Sequence, residues 1–175
     1  MRLISGFFAL VLLLIIISLF LPSQFEVESS ILINADEEVI FDQLNDLRNW
    51  ENWDPFIKSD STITSEYSDP SYGMGAKSTW ISDNSGGGTL VITGSVKNKT
   101  VRTQLFMKNE FGESILFEEK TLELVSAGTR VTSRMQSDLG WSPLNKYGSL
   151  LIKKRVLEDY KKGLQNLKDY CENNW

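Results

Sequence analysis

The sequence predicts an α+β fold in which a curved antiparallel β-sheet wraps a long C-terminal α-helix, preceded by one N-terminal transmembrane helix. Three observations carry this expectation. An uncharged apolar run, Leu3 to Leu21, opens the chain. Apolar alternation broken by short turn sequences fills the middle. From Ser142 onward the apolar period becomes helical. The organisation that follows is residues 1–22 as a membrane anchor or signal segment and residues 23–175 as one folded domain, large enough for a single core.

Leu3 to Leu21 is 19 residues. As a helix it reaches about 28 Å, close to the roughly 30 Å hydrocarbon core of a bilayer. Arg2 precedes the run, and no Lys or Arg follows until Arg48, whereas Glu26 and Glu28 do follow. The positive-inside rule then puts the N-terminus in the cytoplasm and the domain on the extracytoplasmic side of a single-pass anchor. A cleaved signal peptide is the competing reading. The apolar region is long against the usual ~7–15 residues, and no small-x-small site stands near Pro22, which favours the anchor.

Phe25, Val27, Ser29, Ile31 and Ile33 alternate with mostly polar residues, as in a half-buried strand. Asn34 with Glu37 three residues on forms a candidate capping box. The helix that follows carries Val39, Ile40, Phe41, Leu44 and Leu47. A short segment, Arg48 to Pro55, then places Trp50 and Trp53 three apart. Strand-like stretches follow at Ile57–Tyr67, Ala76–Ser82, Thr89–Val96, Val101–Lys108, Glu113–Val125 and Thr129–Ser137. Turn chemistry separates them: Ser68-Asp69-Pro70, the run Asp83 to Gly88, Lys97-Asn98-Lys99, Asn109-Glu110 and Ala127-Gly128. Connections this short imply an antiparallel meander, because parallel pairing needs long crossovers.

In Glu113–Val125 the apolar parity slips. Ile115 and Phe117 share one face, and Leu122 and Leu124 the other. A bulge near Glu118–Lys120 reconciles them and bends the strand; a strand with two wet faces at its middle is the alternative. Ser142 is an N-cap candidate and Pro143 a first helical residue. Leu144, Gly148, Ile152, Val156, Tyr160, Leu164, Leu167 and Cys171 then form one stripe of a helix of roughly 28 residues, about 42 Å long.

Composition narrows the chemistry. The 175 residues include 23 acidic and 18 basic side chains, one cysteine and no histidine. A Ser-His-Asp triad, a Cys-His dyad, a histidine zinc site, an internal disulfide and a CxxC motif are all excluded. The formal charge of −5 argues against nonspecific nucleic-acid binding. No catalytic set, metal site or cofactor is expected, no nucleic-acid partner either, and the sequence specifies no oligomeric state.

By alternation, Leu90 and Ile92 on one strand, Thr103, Leu105 and Met107 on the next, and Ser133 and Met135 on the last face the terminal helix. They line either a pocket or a collapsed core. Glu118 and Lys120 are the one charged pair placed to point inward, with a solvated strand face as the alternative. Asp46 and Asp54 read as braces of the Trp50–Trp53 segment.

Several motifs carry a family resemblance. Ser30 to Phe41 resembles the opening of the START-like, or SRPBCC, superfamily. So does Asp46 to Pro55, with its Asp-x-x-x-Trp-x-x-Trp-x-Pro pattern. Gly73-Met74-Gly75 ahead of a strand with Trp80, and Gly128 to Thr132, are similar to later elements of that superfamily. The set, over about residues 25–171, resembles the polyketide cyclase/dehydrase and lipid transport branch. The resemblance implies the helix-grip fold, with a cavity between sheet and helix. It also implies that Trp53, Trp80 and Trp141 lie near the cavity mouth or wall, although tryptophan buries a large area anywhere. The expected function is a membrane-anchored domain that binds a hydrophobic small molecule or lipid. A cyclase or hydrolase using carboxylate acid–base chemistry and a noncatalytic protein-interaction module are the alternatives.

Overall fold

The computed structural model describes residues 2–109 and 112–174. Seven strands form one sheet: β1 (Gln24–Ile33), β2 (Thr64–Tyr67), β3 (Lys77–Ser82), β4 (Gly86–Val96), β5 (Thr100–Asn109), β6 (Gly112–Val125) and β7 (Gly128–Asp138). Their spatial order is β1-β7-β6-β5-β4-β3-β2, and every neighbouring pair is antiparallel. Strands β2 to β7 are the expected meander, and β1 returns to pair along β7 from Gln24↔Asp138 to Ile33↔Thr129. Of the expected Asn109-Glu110 turn, Glu110 lies outside the described residues.

Helix α1 (Arg2–Ser18) precedes the sheet, and α2 (Glu37–Asn45), a 3₁₀ turn (Leu47–Asn52) and α3 (Pro55–Ser59) join β1 to β2. Helix α4 (Pro143–Asn173) ends the chain. The core lies where α2 and the C-terminal half of α4 meet the inner face of the sheet. Ile33, Ile40, Leu44, Ile92, Val131 and Leu167 are wholly buried there. Each such side chain contributes about 1.5–3 kcal/mol on leaving water.

The expected transmembrane helix over Leu3–Leu21 needs correction. Helix α1 has 17 residues and stops at Ser18. Its end tightens into three-residue bonds, from Leu19 N–H to Ile16 O (3.1 Å) and from Phe20 N–H to Ile17 O (3.0 Å). Among the described residues, no helix is long and apolar enough to cross a membrane. The buried Lys146 side chain also donates from Nζ to the terminal Ser18 carbonyl at 3.1 Å, and Tyr147 Oη donates to Leu14 O at 2.8 Å. A cation at a helix C-terminus offsets the negative end of its dipole.

The Asn34 capping box is also replaced. Helix α2 begins after Asp36, whose side chain makes no cap bond. The Asn34 N–H instead donates to Glu172 Oε1 (2.7 Å), tying the end of β1 to α4. The strand expected from Ile57 starts only at Thr64. Asp54 Oδ1 accepts from the N–H groups of Phe56 (2.8 Å) and Ile57 (3.3 Å), and Pro55 supplies the first helical position, so α3 forms there.

No bulge interrupts β6. Its register with β5 and β7 runs unbroken through Glu118 and Lys120. The parity slip is real in composition but not in backbone. Leu116, Glu118, Lys120 and Leu122 all face inward, while Ile115 and Phe117 lie exposed on the outer face. The register shift of the sheet sits in β4, between Ile92 and Gly94.

The expected turn from Asp83 to Gly88 ends before its glycines. Gly86, Gly87 and Gly88 belong to β4, and Gly88 pairs with Trp80. A Cβ at Gly88 would collide with the Trp80 indole and the Phe106 carbonyl. Gly88→Ala is therefore expected to displace Trp80 and to cost about 1–3 kcal/mol. Removing the indole as well, in Gly88→Ala/Trp80→Ala, should relieve the part of the overpacking that the ring causes, leaving only that against the Phe106 carbonyl. Urea titrations that find the two substitutions additive would disprove the contact.

The link between α3 and β2 is fixed to the β3–β4 turn by Asp60. Its carboxylate accepts from Ser82 Oγ (2.6 Å), Thr62 Oγ1 (2.6 Å), Thr62 N–H (3.0 Å) and Asn84 Nδ2 (3.0 Å). The Ser82 bond first, then those of Thr62, hold its pKa below the ordinary value. The stabilisation is therefore complete above the unfolded pKa of about 3.9 and is lost as pH falls below it. Protection of residues 82–85 against hydrogen exchange, relative to the intrinsic rate at each pH, should fall below about pH 4, and in Asp60→Asn this acid dependence should disappear.

Helix α4 starts as expected, with Ser142 Oγ accepting from the Asn145 N–H (3.3 Å) and Pro143 at the first position. Its stripe divides. Leu164, Leu167 and Cys171 are buried on the sheet, whereas Leu144 and Ile152 are exposed.

Candidate ligand-binding site

The inner faces of β2 to β7, the middle of α4 and the Leu47–Ser59 segment do not close on one another. They leave a half-enclosed, largely apolar cavity of about 320 Å³. A water occupies about 30 Å³ of liquid volume, so this is no packing defect, and the size suits a small-molecule pocket.

Two tryptophans form one wall. The 3₁₀ turn brings Trp50 and Trp53 together, with ring centroids 4.9 Å apart. Their indole N–H groups donate to the carbonyls of Leu44 (3.0 Å) and Gln43 (3.2 Å), using the unpaired carbonyls at the end of α2. At the other end, Phe56 and Trp80 meet edge to face at 6.1 Å. Leu90, Leu105, Met107, Leu116 and Met135 pave the sheet side, and Val156, Gly163 and Leu164 the helix side.

Into this apolar space β6 projects two charges. Residues two apart on a strand share a face, so Glu118 and Lys120 lie side by side. Lys120 Nζ is 2.6 Å from Glu118 Oε1, and the two side chains are only 4% and 13% exposed. Lys120 Nζ also lies 4.4 Å from the Trp50 ring centroid and 5.6 Å from that of Trp53, within cation–π range. Glu118 accepts further bonds from Ser133 Oγ (3.2 Å), Thr103 Oγ1 (3.3 Å) and the Tyr160 hydroxyl.

The environment moves these groups apart. Burial pushes Glu118 upward, but the Lys120 charge and hydrogen bond, with those of Tyr160 and Ser133, outweigh it and hold the carboxyl below its ordinary value. Burial, then the Glu118 charge, raises the Tyr160 phenol well above its ordinary value. Asp54 is raised by burial, against the Ile57 N–H and the Lys120 charge. Among the described residues, no group of three or more His, Cys, Asp or Glu is placed to hold a metal ion.

Of the residues singled out from sequence, Trp53, Trp80, Leu90, Leu105, Met107, Ser133 and Met135 line the cavity. Three do not. Ile92 is wholly buried in the core away from it. Thr103 is buried beside Glu118 and reaches the cavity only through that carboxylate. Trp141 stands outside, 85% exposed before α4, because it lies ahead of the point where the helix meets the sheet. Trp50, Asp54 and Tyr160 were not singled out as pocket residues, yet they line it. The three-residue spacing of Trp50 to Trp53, and the place of Tyr160 on the helical stripe, were the available signals.

The sequence matches the family described as polyketide cyclase / dehydrase and lipid transport over residues 24–172. No curated protein matches it. Solved structures do. One is a Staphylococcus aureus protein of unknown function, with 14% identity and a TM-score of 0.65 over 85% of this chain and 94% of that one. A Chromobacterium violaceum protein gives 12% identity and a TM-score of 0.62 over 86% and 99%. The di-domain ARO/CYC StfQ of the steffimycin biosynthetic pathway gives 8% identity and a TM-score of 0.62, over 85% of this chain and 51% of that one. At these identities the likeness is one of fold.

Proposed function

Since the chain belongs to the polyketide cyclase/dehydrase and lipid transport family, we propose that its pocket binds a hydrophobic small molecule or lipid. The half-enclosed apolar cavity of about 320 Å³ supports this reading. A collapsed core would have filled the space, since buried side chains elsewhere in proteins leave few voids larger than a water. Transfer of an apolar ligand from water supplies roughly 25 cal/mol per Å² before ordering costs. Native mass spectrometry of the full chain after gentle extraction is the test. A bound apolar species that leaves on unfolding is the expected result. A chain that is always empty and takes up no Nile red overturns the reading.

One observation favours catalysis as a second reading. Asp54 is pushed towards its protonated form and Glu118 towards its carboxylate within one pocket. Carboxyl groups driven apart in this way can serve as acid and base. On this reading, a cyclisation or hydrolysis in the pocket falls about 100-fold or more in Asp54→Asn and in Glu118→Gln. Turnover unchanged in both variants removes the catalytic reading.

The apolar side chains of α1 from Phe7 to Ile17 are exposed. We propose that this segment associates with a lipid bilayer, with the domain on its extracytoplasmic side. Protease added outside intact expressing cells should digest the domain. Full protection until lysis refutes that orientation.

A further inference from the structure

We infer that the ligand is an uncharged amphiphile whose polar end is a hydrogen-bond-accepting oxygen, a carbonyl or a hydroxyl, held by Lys120, and that carboxylate lipids are rejected. This rests on the reading of the cavity as a ligand site and specifies the chemistry that the site takes.

The argument starts from the charges that line the cavity. They are Asp54, Glu118, Asp159 and Lys120, three carboxyl groups against one ammonium. The single cation is already matched, because Lys120 Nζ lies 2.6 Å from Glu118 Oε1. An anionic head brought to Lys120 would therefore sit beside a second carboxylate in a space emptied of water, where like charges are screened least. Fatty acids and other carboxylates pay that repulsion, and neutral ligands do not.

Hydrogen-bond capacity then selects among neutral and cationic heads. Glu118 offers about four lone-pair sites. Lys120, Ser133, Thr103 and Tyr160 occupy them. A donor head such as an ammonium finds no open acceptor on Glu118 and would crowd Lys120; it is left with Asp54, which already caps α3, and with the exposed Asp159 at the solvent edge. The Lys120 ammonium has three N–H groups. Its one carboxylate partner is Glu118, and its remaining donors face the Trp50 and Trp53 rings and the cavity. The capacity left at the polar end is thus donation from Lys120, and an acceptor oxygen complements it. Apart from Asp54, Asp159 and the hydroxyls of Ser65 and Ser78, the remaining walls offer apolar body contact from residues such as Leu90, Leu105, Met107 and Val156.

Three probes of one chain length test this: methyl decanoate, decanoate and decylamine. Each displaces Nile red, itself uncharged, from the full chain in a fixed amount of nonionic detergent at neutral pH. The ester is expected to bind at least ten-fold more tightly than either charged probe. In Glu118→Gln, which removes the competing carboxylate, the preference for ester over decanoate should fall at least five-fold. Decanoate or decylamine binding as tightly as the ester overturns the inference while leaving the pocket a ligand site, and so does a preference unmoved by Glu118→Gln. If Glu118→Gln fails to fold, the wild-type ratios decide alone. Failure of Nile red itself to bind removes the ligand-site reading, and the inference with it.

Discussion

Lys120→Met is expected to destabilise the domain by about 3–5 kcal/mol, a large share of the 5–15 kcal/mol typical of a native domain. The methionine fills much of the space of the lysine stem, so lost volume is not the cause. The cost arises because Glu118 keeps its burial and loses its counter-charge. In the wild type, Glu118 titrates below its ordinary value. The pair therefore stabilises fully above the unfolded pKa of about 4.3 and loses this contribution as pH falls. In the variant, burial acts without its main opponent, and the folded pKa moves above the unfolded one. The variant should then lose stability as pH rises above about 4.3. Urea titrations should show the gap between the two proteins widening from pH 4 to pH 7. Glu118→Leu added to Lys120→Met should recover most of the loss, because an apolar pair replaces a buried ionic one at little cost. A gap that stays constant with pH would mean that the ion pair is not what holds β6 in place.

Trp53→Ala should cost a similar 3–5 kcal/mol and should also spoil the pocket. The side chain is 3% exposed and donates to Gln43 O at 3.2 Å, and its backbone carbonyl accepts from Asn166 Nδ2 of α4 at 2.9 Å. Truncation leaves the Gln43 carbonyl at the end of α2 without its side-chain partner. It also merges the vacated volume with the cavity. Nile red affinity is expected to fall at least ten-fold, with Trp53→Phe retaining most of the stability. A Trp53→Ala protein that keeps full affinity would show that the wall is made by Trp50 alone.

What was legible in the sequence was whatever depends on local chemistry. Ser142 and Pro143 announce α4, because an N-cap hydroxyl and a ring-fixed φ act within one turn of the helix. The strands from Ala76 onward could be placed from alternation and turns to within a few residues. The failures have a common physical origin, which is contact with a distant element. Alternation left open whether Glu118 and Lys120 point inward or lie on a solvated face, and made the answer hang on a bulge. They are buried without one, because the charges are satisfied by Ser133 on β7, Tyr160 on α4 and the tryptophans after α2. Alternation alone cannot report partners tens of residues away. Gly86 to Gly88 read as part of a turn, yet the missing side chain serves an indole on the neighbouring strand. The apolar run at the N-terminus specified a helix, but its end depends on Lys146, 128 residues further along the chain.

That last contact has a mechanical consequence. Only Leu19 to Ser23 separate α1 from β1, and a five-residue strap would ordinarily let a domain swing. With an ammonium and a phenol from α4 fastened to the final turn of α1, the swivel is clamped at two points. The mouth of the cavity then keeps a set height and heading relative to α1, like a lamp on a fixed bracket rather than on a cord.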